Sequence, residues 1–269
     1  MALIWNFLKI SLYPVGAILI CGLMSWLCLK LFMKLLGHGG YKIVLAASLI
    51  GTPVHELGHA AMCLLCGHKV SQLVLWQPPS DDGLLGYVRH TYNSQSLPQK
   101  LGNLLISTGP IFSGMAVLSL MLMLAFPNTW DTYVSTLKAL VAQDASVVQI
   151  VACGLRMIPD LFSEIGSSPA PGWAQVLALL VMLSVSLHIN LSPGDLKGVA
   201  GALPPYLAVT LALAVVTTLL GRGFTGLVLG VLQSFHTFMM ATFTVVLVFD
   251  AAQAALALLI RLLLRRVLS

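Results

Sequence analysis

The chain is 269 residues long, with 58% hydrophobic and 9% charged residues and a mean hydropathy of +0.94. A soluble domain carries about a quarter charged residues, so this composition excludes a water-solvated globule and leaves the lipid bilayer as solvent for most of the surface. The formal charge of +5 is spread over loops and ends with no long Lys/Arg block, which suits anionic headgroups and argues against a nucleic-acid partner.

A membrane-spanning helix needs roughly 20 apolar residues. On that rule, six spans are expected near 11–36, 43–66, 100–126, 172–191, 204–221 and 231–260. The first follows Lys9 and runs to Leu36, too long for the apolar region of a cleavable signal peptide and without an A-x-A-like site. Lys30 and Lys34 are expected to snorkel toward an interface near its end. After the second span, residues 69–95 carry β-prone runs (Val70–Trp76 and Tyr87–Tyr92) around "PPSDDG", the pattern of a β-hairpin. Residues 128–170 mix apolar and polar positions, which suits one or two interfacial helices.

The fourth and fifth spans are separated by "NLSPGDLKGVAGALPP", rich in Pro and Gly and containing Asp195 and Lys197. Non-helical backbone at that depth is tolerated only where protein or a watery cavity surrounds it. The expected fold class is therefore an all-α polytopic membrane protein with about six transmembrane helices and a small β-hairpin after the second span. No internal repeat or low-complexity linker divides the chain, so residues 1–269 read as a single integral-membrane domain. With both termini inside, the inner segments hold eight Lys/Arg against six outside, which predicts cytoplasmic termini for a multi-pass protein, in the cell membrane if the source is prokaryotic.

The five cysteines (Cys21, Cys28, Cys63, Cys66 and Cys153) lie in apolar segments and read as small core packers. Cys63 and Cys66 have the spacing of half a zinc ribbon, and no second pair accompanies them.

The chemistry concentrates in "GTPVHELGHAAMCLLCGH", from Gly51 to His68. An intramembrane carboxylate is expensive, so Glu56 needs a reason to be there. On a helix His55 and His59 share one face, about 6 Å apart along the axis, and can share one cation. Glu56, rotated by roughly 100°, reaches a water activated by that cation rather than the cation itself. Two histidines and a glutamate so arranged are a zinc site with a general base. A third protein ligand is needed, and the candidates are His188 and Asp195 at the break after the fourth span. His38, His68 and His90 fall at span edges or in the hairpin, where solvated histidines are ordinary, and His236 reads as a packed or pore-lining residue of the last span.

With His55-Glu56-Leu57-Gly58-His59 in an early span, a hairpin, a span carrying "STGPIFSG", and Asn190-x-x-Pro193 followed by Asp195 and Gly198, residues 43–200 resemble the site-2 protease family of intramembrane metalloproteases. That family's "AGP" motif resembles Thr108-Gly109-Pro110. The resemblance implies that Asp195 is the third zinc ligand, although the family usually writes Asp directly before Gly and here Leu196 and Lys197 intervene. It also implies a core made of the second, third and fourth spans, with flanking helices gating lateral entry of substrate. Pro193 agrees with the ligand assignment, because it interrupts the helix and frees Asp195 to bend toward the second span, leaving His188 in the helix above. Asn190 can either donate a hydrogen bond to a developing oxyanion or cap the broken helix end.

The expected function is a zinc-dependent intramembrane endopeptidase, with Zn2+ held by His55, His59 and Asp195 (His188 being the alternative third ligand) and Glu56 as catalytic base. Its partners would be a transmembrane substrate protein and the bilayer. Two other classes compete with it: a catalytically inactive protease-like membrane scaffold, and a metal-ion transporter.

Overall fold

The computed structural model describes residues 1–79, 83–143 and 145–268, excluding the side chains of residues 264–268. Its described elements run in the order α1 (Ala2–Leu36), α2 (His38–Leu65), β1 (Lys69–Val74), β2 (Tyr87–Thr91), α3 (Leu97–Ala125), α4 (Pro127–Ala142), α5 (Val147–Glu164), α6 (Gly172–Ser186), α7 (Pro193–Leu220) and α8 (Arg222–Leu268). The protein is thus mostly helical with one small antiparallel hairpin.

Four helices, α1, α3, α7 and α8, are long and apolar enough to cross a membrane. α6 is also apolar but only 15 residues long. α2 has the length, but His55, Glu56 and His59 dilute its apolar character. Large apolar side chains stand exposed along α1, α7 and α8, among them Trp5, Ile20, Leu211, Leu219 and Leu227. Such a surface is stable only against a non-aqueous solvent or a partner.

The hairpin pairs Lys69 with Thr91 and Val70 with His90, shifts register between Val70 and Gln72, and continues with Leu73 opposite Val88 and Val74 opposite Tyr87. Ser71, at the irregularity, bonds through its hydroxyl to the Arg89 carbonyl. Of the expected turn, Ser80, Asp81 and Asp82 lie outside the described residues.

The region expected to hold interfacial helices contains α4 and α5, and both are tied into the bundle. α5 buries Ile150, Cys153, Gly154, Met157 and Leu161, spaced three and four apart as one helix face requires. Gly154 lets that face approach Thr244 of α8. Glu164, at the end of α5, is buried and accepts from the Asn128 and Thr129 backbone N–H groups at 3.0 and 2.8 Å and from the Thr129 hydroxyl at 2.7 Å. A carboxylate thereby satisfies the orphan donors at the start of α4.

One correction concerns the break after the fourth span. The stretch from Asn190 to Pro205 was expected to be irregular, yet α7 already begins at Pro193 and continues through Pro204 and Pro205. Proline is favourable at the first helical position, and Ser192 with Asp195 forms a capping box that starts the helix there. The irregular segment is reduced to residues 187–192.

The main core joins α1, α3, α4, α5, α6 and α8 through Ile18, Ile111, Leu118, Phe126, Met157, Met182 and Phe243. A smaller cluster of Val15, Leu104, Val199 and Ala202 joins α1, α3 and α7. Between these packed regions, α2, α3, the end of α6 and the start of α7 come together around His55 and His59.

Candidate metal centre

His55 and His59 project from one face of α2, one turn apart, as their spacing requires. Their Nε2 atoms are 3.2 Å apart. Asp195, the third residue of α7, brings Oδ1 to 3.1 Å from His59 Nε2 and Oδ2 to 3.7 Å from His55 Nε2. Among the described residues, these three side chains form the one group of His, Cys, Asp or Glu donors compact enough to hold a metal ion, all within 4.8 Å of one another.

The far side of each imidazole is fixed by backbone. His55 Nδ1 lies 2.8 Å from the His188 carbonyl, and His59 Nδ1 lies 2.7 Å from the Ile106 carbonyl. A carbonyl can only accept, so each Nδ1 carries the hydrogen, and in the neutral imidazole each Nε2 then presents a lone pair. Two such lone pairs and a carboxylate oxygen converging at 3.1–3.7 Å are held together by a shared proton or by a cation. Tetrahedral zinc with N and O ligands at about 2.0–2.2 Å sets neighbouring donors about 3.4 Å apart. The donor set and its spacing therefore fit zinc.

Asp195 is held as firmly as the histidines. Its Oδ2 accepts the Ser192 N–H at 2.7 Å, and its own N–H donates to the Ser192 hydroxyl at 3.1 Å. The capping box that begins α7 thus leaves Oδ1 free to face His59. Asp195 was one of two candidate donors at the break, the one the family resemblance implied, and its capping duty leaves an oxygen for that role.

His188 does not join the donor group. Its ring packs against Gly51 of α2, and its Nδ1 bonds the Ser184 carbonyl at 2.8 Å. Its contribution to the centre is its carbonyl, left without an intrahelical donor at the end of α6 and taken up by His55. Asn190 donates its amide to the Leu187 carbonyl at 2.9 Å, which is the capping role of the two open to it.

Close helix contact makes these bonds possible. Gly58 of α2 and Gly109 of α3 face each other so tightly that a Cβ on either would meet the other's backbone at 2.5 Å. The Ser113 hydroxyl adds a 2.7 Å bond to the Val54 carbonyl across the same seam. The "STGPIFS" stretch of α3 is thus the surface on which the histidine-bearing helix lies.

Glu56 lies outside the three-donor group, where the hairpin meets α2. Ser48, Thr52 and Glu56 recur every four residues and form one buried stripe of α2. The hairpin covers it: the Trp76 indole donates to the Ser48 hydroxyl at 2.9 Å, and Gly86 rests on Thr52 and Glu56. A Cβ at Gly86 would come within 2.9 Å of the Glu56 side chain and the Val74 carbonyl. Sequence reading found Glu56 but not Gly86, whose importance lies only in what the hairpin meets.

Compared with protein-family models, with curated proteins and with solved structures, the chain returns no match.

Proposed function

We propose that the protein is a zinc-dependent endopeptidase that hydrolyses a peptide bond within or near a transmembrane helix of a substrate protein. The observation that carries this reading is the convergence of His55 Nε2, His59 Nε2 and an Asp195 oxygen at metal-ligand spacing, with both Nδ1 atoms anchored by carbonyls. Part of the reading is a multi-pass topology in which α1, α2, α3, α6, α7 and α8 cross the bilayer and both termini are cytoplasmic.

A zinc ion held by these residues would supply a Lewis acid that polarises a carbonyl and acidifies water. Glu56 stands beside the donors without joining them, where it accepts a proton from the attacking water and passes it to the nitrogen of the leaving amine. The Ile106 and His188 carbonyls keep the two imidazoles in one tautomer and orientation through that exchange. The hairpin, resting on Glu56 through Gly86, screens the carboxylate from lipid. Its exposed strand edge offers backbone groups to a substrate segment that has left its helix, since a helical peptide bond is already hydrogen-bonded and must unwind before attack.

The test is zinc content of the purified full-length protein measured beside cleavage of a synthetic transmembrane helix in vesicles. Stoichiometric zinc with cleavage supports the reading. Zinc without cleavage of any helix favours a protease-like scaffold, and no zinc removes the enzyme reading.

A further inference from the structure

Four acidic side chains are buried among the described residues, and three are already accounted for: Asp195 in the candidate metal centre, Glu56 as the proposed base beside it and Glu164 as the cap of α4. The fourth is Asp250, in the middle of α8, 4% exposed. Neither of its oxygens has a hydrogen-bond partner among the described residues. No lysine, arginine or histidine among them forms an ion pair with it. An ionised carboxylate so buried is strongly destabilising unless a positive charge accompanies it.

Two hydroxyls from other helices face this carboxylate, Ser25 of α1 and Ser186 of α6. Ser25 Oγ is itself buried and without a hydrogen-bond partner among the described residues. Ser186 has committed its hydrogen: it donates to the Leu183 carbonyl at 3.1 Å and accepts from Gln253 Nε2 at 2.7 Å. A carboxylate and two hydroxyls thus share one buried site between three helices.

We infer that Asp250, Ser25 and Ser186 form a binding site for a monovalent cation, separate from the His55–His59–Asp195 centre. Oxygen-only donors select hard cations and disfavour zinc. One carboxylate among neutral groups is balanced by a single positive charge, and a divalent ion would leave excess charge in a low-dielectric bundle. A bound proton is the competing occupant. It would make the stability of the bundle indifferent to which salt is present, and that is what separates it from an ion. Because the donors come from α1, α6 and α8, the ion would tie these three helices together, and its binding would stabilise the folded bundle. The inference does not depend on the protease reading.

The experiment measures the melting temperature of the purified full-length protein in sodium, lithium, potassium and choline chloride at equal ionic strength. Saturating sodium should raise it by about 5 °C over choline. Asp250→Asn, isosteric and uncharged, should abolish the increment while keeping the zinc content of the unaltered protein. If Asp250→Asn does not fold, Ser25→Ala decides by the same readout. Equal melting temperatures in all four salts would overturn the inference and leave a protonated Asp250. A sodium increment that survives in Asp250→Asn, or in Ser25→Ala where that variant decides, would overturn it as well.

Discussion

Pro110 lies four residues after Ile106 in α3 and has no N–H to give the Ile106 carbonyl, and that carbonyl accepts from His59 Nδ1 at 2.7 Å instead. A proline inside a helix usually means a lost bond. Here the vacated acceptor orients a side chain of the candidate metal centre. Pro110→Ala restores a competing donor along the helix and weakens the hold on His59. Zinc affinity should fall about 10-fold, within the range for groups that orient ligands, and competition with a chelator of known affinity measures it.

The three donors should separate cleanly from their neighbour. The unaltered protein should hold one zinc, and His55→Ala, His59→Ala and Asp195→Ala should each lose most of it during dialysis against a chelator. His188→Ala should keep it, because His188 serves the centre through its carbonyl, which alanine also carries. Metal analysis of the four variants side by side checks the assignment. Loss confined to His188→Ala would reverse the choice of third ligand.

Glu56 should prove a base and not a ligand. Glu56→Gln removes the proton acceptor and preserves shape, so zinc content should be unchanged while cleavage falls by about 10²–10⁴-fold. Near-normal turnover in that variant would return Glu56 to a structural role.

The hairpin's contact with the centre runs through a missing side chain. At Gly86→Val the added carbons meet Thr52, Glu56 and the Val74 carbonyl, so the hairpin must lift from α2. Zinc content should hold, because His55, His59 and Asp195 lie on helices. Cleavage should drop at least 10-fold, the order expected when a catalytic group is misplaced by a fraction of an ångström or more. Faster proteolysis of the hairpin would report its release directly.

Glu164 has no part in the chemistry and a large part in stability. Glu164→Ala strands the N–H groups of Asn128 and Thr129 and the Thr129 hydroxyl in a buried site. Losing charge-assisted bonds to buried donors should cost about 3 kcal/mol, measured as a lower midpoint in detergent unfolding, with zinc per folded molecule unchanged.

What the sequence determined by itself is what local spacing encodes. Hydropathy marks helices long and apolar enough to cross a membrane, and a spacing of four sets His55 and His59 on one helix face with Glu56 turned aside. Alternation around a Pro/Gly/Asp-rich turn marks the hairpin, and Ser192-Pro193-x-Asp195 carries its own helix-start signal, which the surrounding prolines and glycines obscured. Only the tertiary structure decided the rest. The carbonyls that fix the two imidazoles lie 133 and 47 residues away along the chain. They are backbone atoms, present at every residue, so no residue type announces them. Gly86 and Glu164 matter for what faces them, and Asp250 stands out only once its neighbours on α1 and α6 prove to be hydroxyls and not a basic side chain. Spacing fixes which side chains of one helix act together. Which distant groups complete them is set by how closely small residues such as Gly58 and Gly109 let two helices approach.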